Sequence, residues 1–179
     1  MNKLFIVMIG AACMAMAMTA SAEWKPNTDD KLDLSVAEAL LKAKEKDPGL
    51  QSWFDEAAGY AIFPKVGKGG IGIGGARGKG LVISGDKTLG ETTLTQVTVG
   101  FQLGGQVYIE LIFFKDKTAL NDFIRGNFEL GAQVSAVAIT AGASADADYN
   151  KGVAVFTIAE GGLMYEATVG GQKFNYKPR

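Results

Sequence analysis

Between Lys65 and Gly80 the chain reads KVGKGGIGIGGARGKG, and half of these residues are glycine. Each glycine in a helix interior costs about 1 kcal/mol relative to alanine, so this stretch is closed to helix. The remaining pattern is extended. Ile71 and Ile73 point one way, and Gly70, Gly72 and Gly74 leave the other face bare. A strand face without side chains allows another strand, a helix or a ligand to approach the backbone closely. The stretch also carries Lys65, Lys68, Arg77 and Lys79 with no acid among them. Such a local excess of cations suits anionic headgroups.

A phosphate-cradling loop is the competing reading. Residues 67–72 and 70–75 both match G-x-G-x-x-G. That fingerprint works only when a helix follows, because the helix N-terminus holds the pyrophosphate. Here the continuation is ARGKGLVISGD, which alternates and has no helical face. The P-loop pattern fails as well. Ile73 stands where its first glycine belongs, and Gly80 stands where Ser or Thr would hold magnesium. No nucleotide or other cofactor is expected.

Period-two alternation dominates the rest of the chain. YAIF forms a short strand stopped by Pro64, and GLVIS continues in extended form. In LTQVTVGFQLGG, Val97, Val99, Phe101 and Leu103 alternate with Thr98, Gly100 and Gln102. Gly104-Gly105 then makes a bulge or turn before QVYIELIFF. Later strands are QVSAVAIT, GVAVFTIA, LMYEATV and KFNYK, with hairpin turns at Gly161-Gly162 and Gly170-Gly171. Helices are few. LSVAEALLKAKEKDPG is capped by Ser35 with Glu38 completing a capping box. LQSWFDEAAG is a short second helix, and DKTALNDFIRGN a third, capped by Asp116. The expected fold is α+β: a large, mainly antiparallel twisted sheet or barrel-like sandwich with a few packed helices.

The first 22 residues read as a signal peptide. Lys3 is basic, Leu4 to Met18 is apolar, and Ala20 and Ala22 are the small residues before a cut at Glu23. A flexible polar arm, 23–33, then leads to a single domain, 34–179. The expected location is the periplasm. Cys13 leaves an alternative, an outer-membrane lipoprotein acylated at that residue, although MAMAM after it stays apolar. The chain has no histidine, and Cys13 is its one cysteine. A Ser-His-Asp triad and a His or Cys zinc site are therefore excluded. A net charge of −1 argues against nucleic acid as a partner.

Three further motifs carry weak chemistry. DADYNKG (146–152) offers oxygen ligands at Asp146, Asp148 and Asn150. It has Lys151 and Thr157 where a calcium loop needs Gly and Glu, so it reads as a solvated turn. Glu110 and Glu160 each sit in an apolar strand, where a raised pKa could serve acid–base work, but the expected reading for each is a solvated strand face or an ion pair. Trp53, Phe54, Tyr60 and Phe63 read as core rather than a ligand cage.

The order of motifs resembles the SYLF domain family. The segments are AAGYAIFPKVGKGGIGIGGARGKG, then TVGFQLGGQVY, then YNKGVAVFTIAEGGL, spanning roughly Leu34 to Met164. The resemblance implies a non-catalytic module that binds anionic phospholipid or a membrane surface, of phosphoinositide type in the family. Lys65, Lys68, Arg77 and Lys79 would meet the headgroups, with Lys42, Lys44 and Lys46 as a secondary contact. Eukaryotic members carry a Trp and a Pro after the glycine stretch, where this chain reads LVISGDK. With an export signal in addition, actin is set aside as a partner. A homo-oligomer, or an envelope module pairing through glycine-faced strands, is the alternative.

Overall fold

The computed structural model describes residues 23–126, 128–131, 134–161 and 171–179; the side chains of 71–73 and 98–104 lie outside the description. The expected signal peptide, the expected strand LMYEATV, and Gly162 and Gly170 of the two expected turns also fall outside it.

The elements run α1 (Lys31–Lys46), α2 (Leu50–Glu56), β1 (Gly59–Ser84), β2 (Lys87–Phe114), α3 (Lys117–Ile124), β3 (Phe128–Glu129), β4 (Ala136–Ala138), β5 (Val153–Gly161) and β6 (Gln172–Pro178). β1 and β2 form one antiparallel ribbon, paired from Gly59↔Phe114 to Ser84↔Lys87. The segments YAIF and GLVIS thus belong to a single strand that Pro64 does not stop. Gly104 and Gly105 likewise make no turn, since they pair with Gly70 and Gly69 inside the ribbon. Irregularities fall at Phe63/Val66 and Ile71/Ile73 instead. Proline has no N–H to donate to a ladder, so a bulge is where a strand can carry it.

The ribbon bends back on itself. A Cβ added to Gly59 would lie 2.8 Å from the Ile83 carbonyl oxygen, and one added to Gly78 would lie 3.1 Å from that of Lys65. A Cβ on Gly80 would collide with the Ile62 carbonyl. Ser84 Oγ donates to the Ala58 oxygen at 2.7 Å. The two halves of β1 therefore lie side by side, and glycine is what allows the approach. The second half of β2 carries β5 and then β4, and its first half carries β6 and then β3. β4–β5 is parallel and the other pairings are antiparallel. The result is a strongly curled half-barrel, α+β with a mostly sheet core.

Each face of the sheet has its own core. On the concave face, Phe63 and Phe174 stack at 5.6 Å across the curl, and α3 closes the end with Leu120 and Phe123. Asp116 caps α3 by accepting from the Ala119 N–H. On the convex face, α1 and α2 bring Val36, Ala39, Ala43 and Leu50 onto Ile62, Leu81, Leu111 and Phe113. The helix α1 begins earlier than its capping box suggests. Asp30 accepts from the Leu32 and Asp33 N–H groups, and the Ser35 hydroxyl donates to the Lys31 carbonyl instead. Residues 24–33 pack on the domain: Trp24 is buried and donates to Thr88 Oγ1, and Arg179 binds Asp30 and Asp33.

Candidate functional site: a cationic patch at the bend of the ribbon

The bulge at Pro64 decides where the cations go. Phe63 and Val66 both enter the concave core, so the strand's alternation slips by one between them. Lys65 is thereby left exposed. Its backbone lies against Gly78, between Arg77 and Lys79. Both of those are exposed and share the parity of Leu81 and Ile83, on the convex face. Among the described residues, Lys65, Arg77 and Lys79 form no ion pair. The cross-strand partners of Arg77 and Lys79 are Thr95 and Thr93, which are uncharged. Arg77 and Lys79 thus share one exposed face, while the Lys65 backbone lies against Gly78 on the opposite face of that strand.

Lys68 stands apart. Two residues beyond Val66, it has the parity of the concave face, and it is half-buried opposite Gln106. Burial pushes its ammonium below the usual lysine range. The helix lysines are also separate. Lys42 pairs with Glu160, which raises its pKa. Lys44 pairs with Glu23 at 3.0 Å and lies over the Phe54 ring. Lys46 is exposed in the last turn of α1.

The two glutamates do not meet. Glu110 is fully buried on the concave face, where burial lifts its pKa to about 8 against a lowering bond from Gln172. Glu160 reaches Lys42 of α1 on the convex side. The DADYNKG segment is a tight turn: Asn150 and Val153 bridge, with Lys151 and Gly152 at φ of 50° and 84°. Among the described residues no three metal-ligating side chains gather. Trp53 packs on Phe113, Tyr149 and Phe156, and Phe54 on Tyr60 and Phe113, as core aromatics do. The alternation rule missed the slip at Pro64; an X-Pro step inside an otherwise regular strand was its one sequence signal.

A strongly curled α+β half-barrel built on one long ribbon defines the class of this domain. Residues 95–177 match the family described as Ysc84, a Las17-binding protein actin regulator. The chain belongs to this Ysc84 (SYLF) family. It is also 30% identical over 138 residues, 76% of its length, to Beta cell expansion factor A of Aeromonas veronii. The chain spans about half of that relative, 52% of its length. The family is associated with lipid binding and actin regulation.

Proposed function

We propose that this protein is an exported, non-catalytic module that binds anionic phospholipid surfaces through Lys65, Arg77 and Lys79, with Lys68 at the margin. The observation that carries this reading is that Lys65, Arg77 and Lys79 are exposed on one glycine-rich strand and have no carboxylate partners among the described residues. Each cation near an anionic surface contributes about 1 kcal/mol, and the attraction fades with salt because the Debye length falls to about 3 Å at 1 M. Family membership supports lipid over actin only in combination with export. Intact mass of the exported protein tests that part: a chain beginning at Glu23 is expected, and one beginning at an acylated Cys13 would overturn it. Co-sedimentation with vesicles tests binding. Anionic vesicles should carry the protein down at low salt and release it at high salt, and neutral vesicles should not. Failure to bind either kind would favour an envelope-partner role.

A further inference from the structure

A cavity of about 400 Å³ opens between α1, α2 and the segment that precedes α1. Its volume lies within the range of about 300–1,000 Å³ that encloses small ligands. The apolar walls are Trp24, Leu40, Leu41, Phe54 and Tyr60. They are held from behind. Trp24 Nε1 donates to Thr88 Oγ1 at 2.8 Å, and Phe54 meets Tyr60 edge-on at 5.0 Å and Phe113 at 4.9 Å. Leu41, at 62% exposure, is an apolar wall left open to solvent among the described residues.

Four polar residues complete the lining: Glu23, Lys44, Gln51 and Asp55. Gln51 donates to Asp55 at 2.8 Å, so these two satisfy each other. Lys44 is the cation of the four. Its ammonium lies 5.1 Å from the Phe54 ring centroid and 3.0 Å from Glu23 Oε1. The two members of this ion pair are not equally fixed. The Lys44 side chain is 27% exposed and rests on an aromatic face, which attracts a cation. The Glu23 side chain is 81% exposed. An ion pair with so exposed a partner is worth little, so the carboxylate can leave while the ammonium stays. Burial and the Glu23 charge push the Tyr60 hydroxyl up, so it keeps its proton and remains a donor.

We propose that this cavity binds an apolar monocarboxylate. The ligand's carboxylate takes the place of Glu23 on Lys44, and its hydrocarbon body lies among Trp24, Leu40, Leu41 and Tyr60. Glu23 is then a built-in competitor for the site. One carboxylate replaces another, so the ammonium is never left unpaired. A cationic ligand would first have to displace Lys44 from the ring.

Isothermal titration calorimetry with phenylbutyrate tests the site, with phenylbutanol as the uncharged control. The carboxylate should bind at least about threefold more tightly, because a charge-assisted bond to Lys44 is stronger than a neutral one. Lys44→Gln should abolish that preference. Glu23→Gln should tighten phenylbutyrate by about two- to fivefold, the worth of the exposed ion pair it removes, and leave phenylbutanol unchanged. The Lys65→Gln, Arg77→Gln, Lys79→Gln triple variant, which tests the lipid reading, should bind phenylbutyrate as wild type does. No binding of phenylbutyrate, equal affinity for the two probes, or a preference that survives in Lys44→Gln would overturn the proposal. So would unchanged or weaker phenylbutyrate binding in Glu23→Gln, or its loss in the triple variant. If Lys44→Gln does not fold by circular dichroism, the Glu23→Gln comparison decides alone.

Discussion

A single carboxyl makes the sharpest local demand on this fold. Glu110 lies on the concave face, cross-strand from Phe63 and Thr157, with Gln172 as its hydrogen-bond donor and Tyr108 as the titratable neighbour. Burial lifts its pKa from an ordinary 4.5 to about 8. A carboxyl whose folded pKa is raised is fully compatible with the fold below the unfolded value. Stability should then fall as pH rises from about 4.5 to about 8 and level off above that, because the unfolded chain binds fewer protons in that window. Tyr108 is itself pushed up by burial, so it stays protonated throughout. Glu110→Gln should raise the melting temperature at pH 8, by on the order of 2–3 kcal/mol of stability, and flatten the profile. Melting curves from pH 4 to 9 check this. A wild-type profile without that slope would mean that the carboxyl reaches water. The apolar strand around Glu110 was legible, but a solvated or paired side chain was the expected reading, and its full burial beside Gln172 was not. Its separation from Glu160 was not legible either, because one residue of register decides which face each occupies.

Among the elements, the β1–β2 ribbon shows both the reach of sequence reading and its end. Alternation identified extended backbone from Tyr60 onward, and the bare face implied close packing. The contacts that demand glycine, however, lie at Gly59, Gly78 and Gly80, where the two halves of β1 meet, and at Gly90 of β2, against Tyr176 and Lys177 of β6. At Gly67 an added Cβ meets nothing within 4 Å, and at Gly105 its nearest neighbour is 3.6 Å away. The surroundings of Gly72 lie outside the described residues. Which glycines face a neighbour depends on where the ribbon bends, and that is a long-range property no local pattern records. Gly80→Val should therefore cost about 1–3 kcal/mol or more through overpacking. Gly67→Ala should leave the melting temperature within about 0.5 kcal/mol of wild type in equivalent stability, as substitutions away from packed features do. Equal effects at the two positions would contradict the bend. The cationic patch has the same origin. The bulge at Pro64 leaves Lys65 exposed, and the bend brings its backbone against Gly78, on the strand face opposite Arg77 and Lys79. The same slip carries Lys68 to the opposite face, which four similar cations in one glycine-rich stretch do not reveal.

At the scale of the whole molecule, Arg179 ties the end of β6 to the start of α1. Arg179 binds Asp30 at 2.7 Å, the buried Asp33 at 2.6 Å and Glu91 at 3.1 Å, joining the start of α1 to β2. Burial works against the guanidinium charge, but Asp33 and Glu91 more than compensate and raise its pKa. Arg179→Ala leaves Asp33 without its cation and should cost about 1–3 kcal/mol, read as a lower urea midpoint with an unchanged slope. No loss of midpoint would mean that α1 is held by its apolar face alone. This closure leaves the bend of the ribbon as a distinct surface, away from the lysines that α1 spends on Glu160 and Glu23. The central claim is that this surface meets anionic lipid. Co-sedimentation of the Lys65→Gln, Arg77→Gln, Lys79→Gln triple variant tests it most directly, with Lys42→Gln, Lys46→Gln as the control and circular dichroism to confirm folding. Losing three cations at about 1 kcal/mol each should weaken binding to anionic vesicles by roughly a hundredfold, while the helix control binds nearly as wild type. A folded triple variant that sediments like wild type, or a helix variant that loses binding instead, would contradict the account.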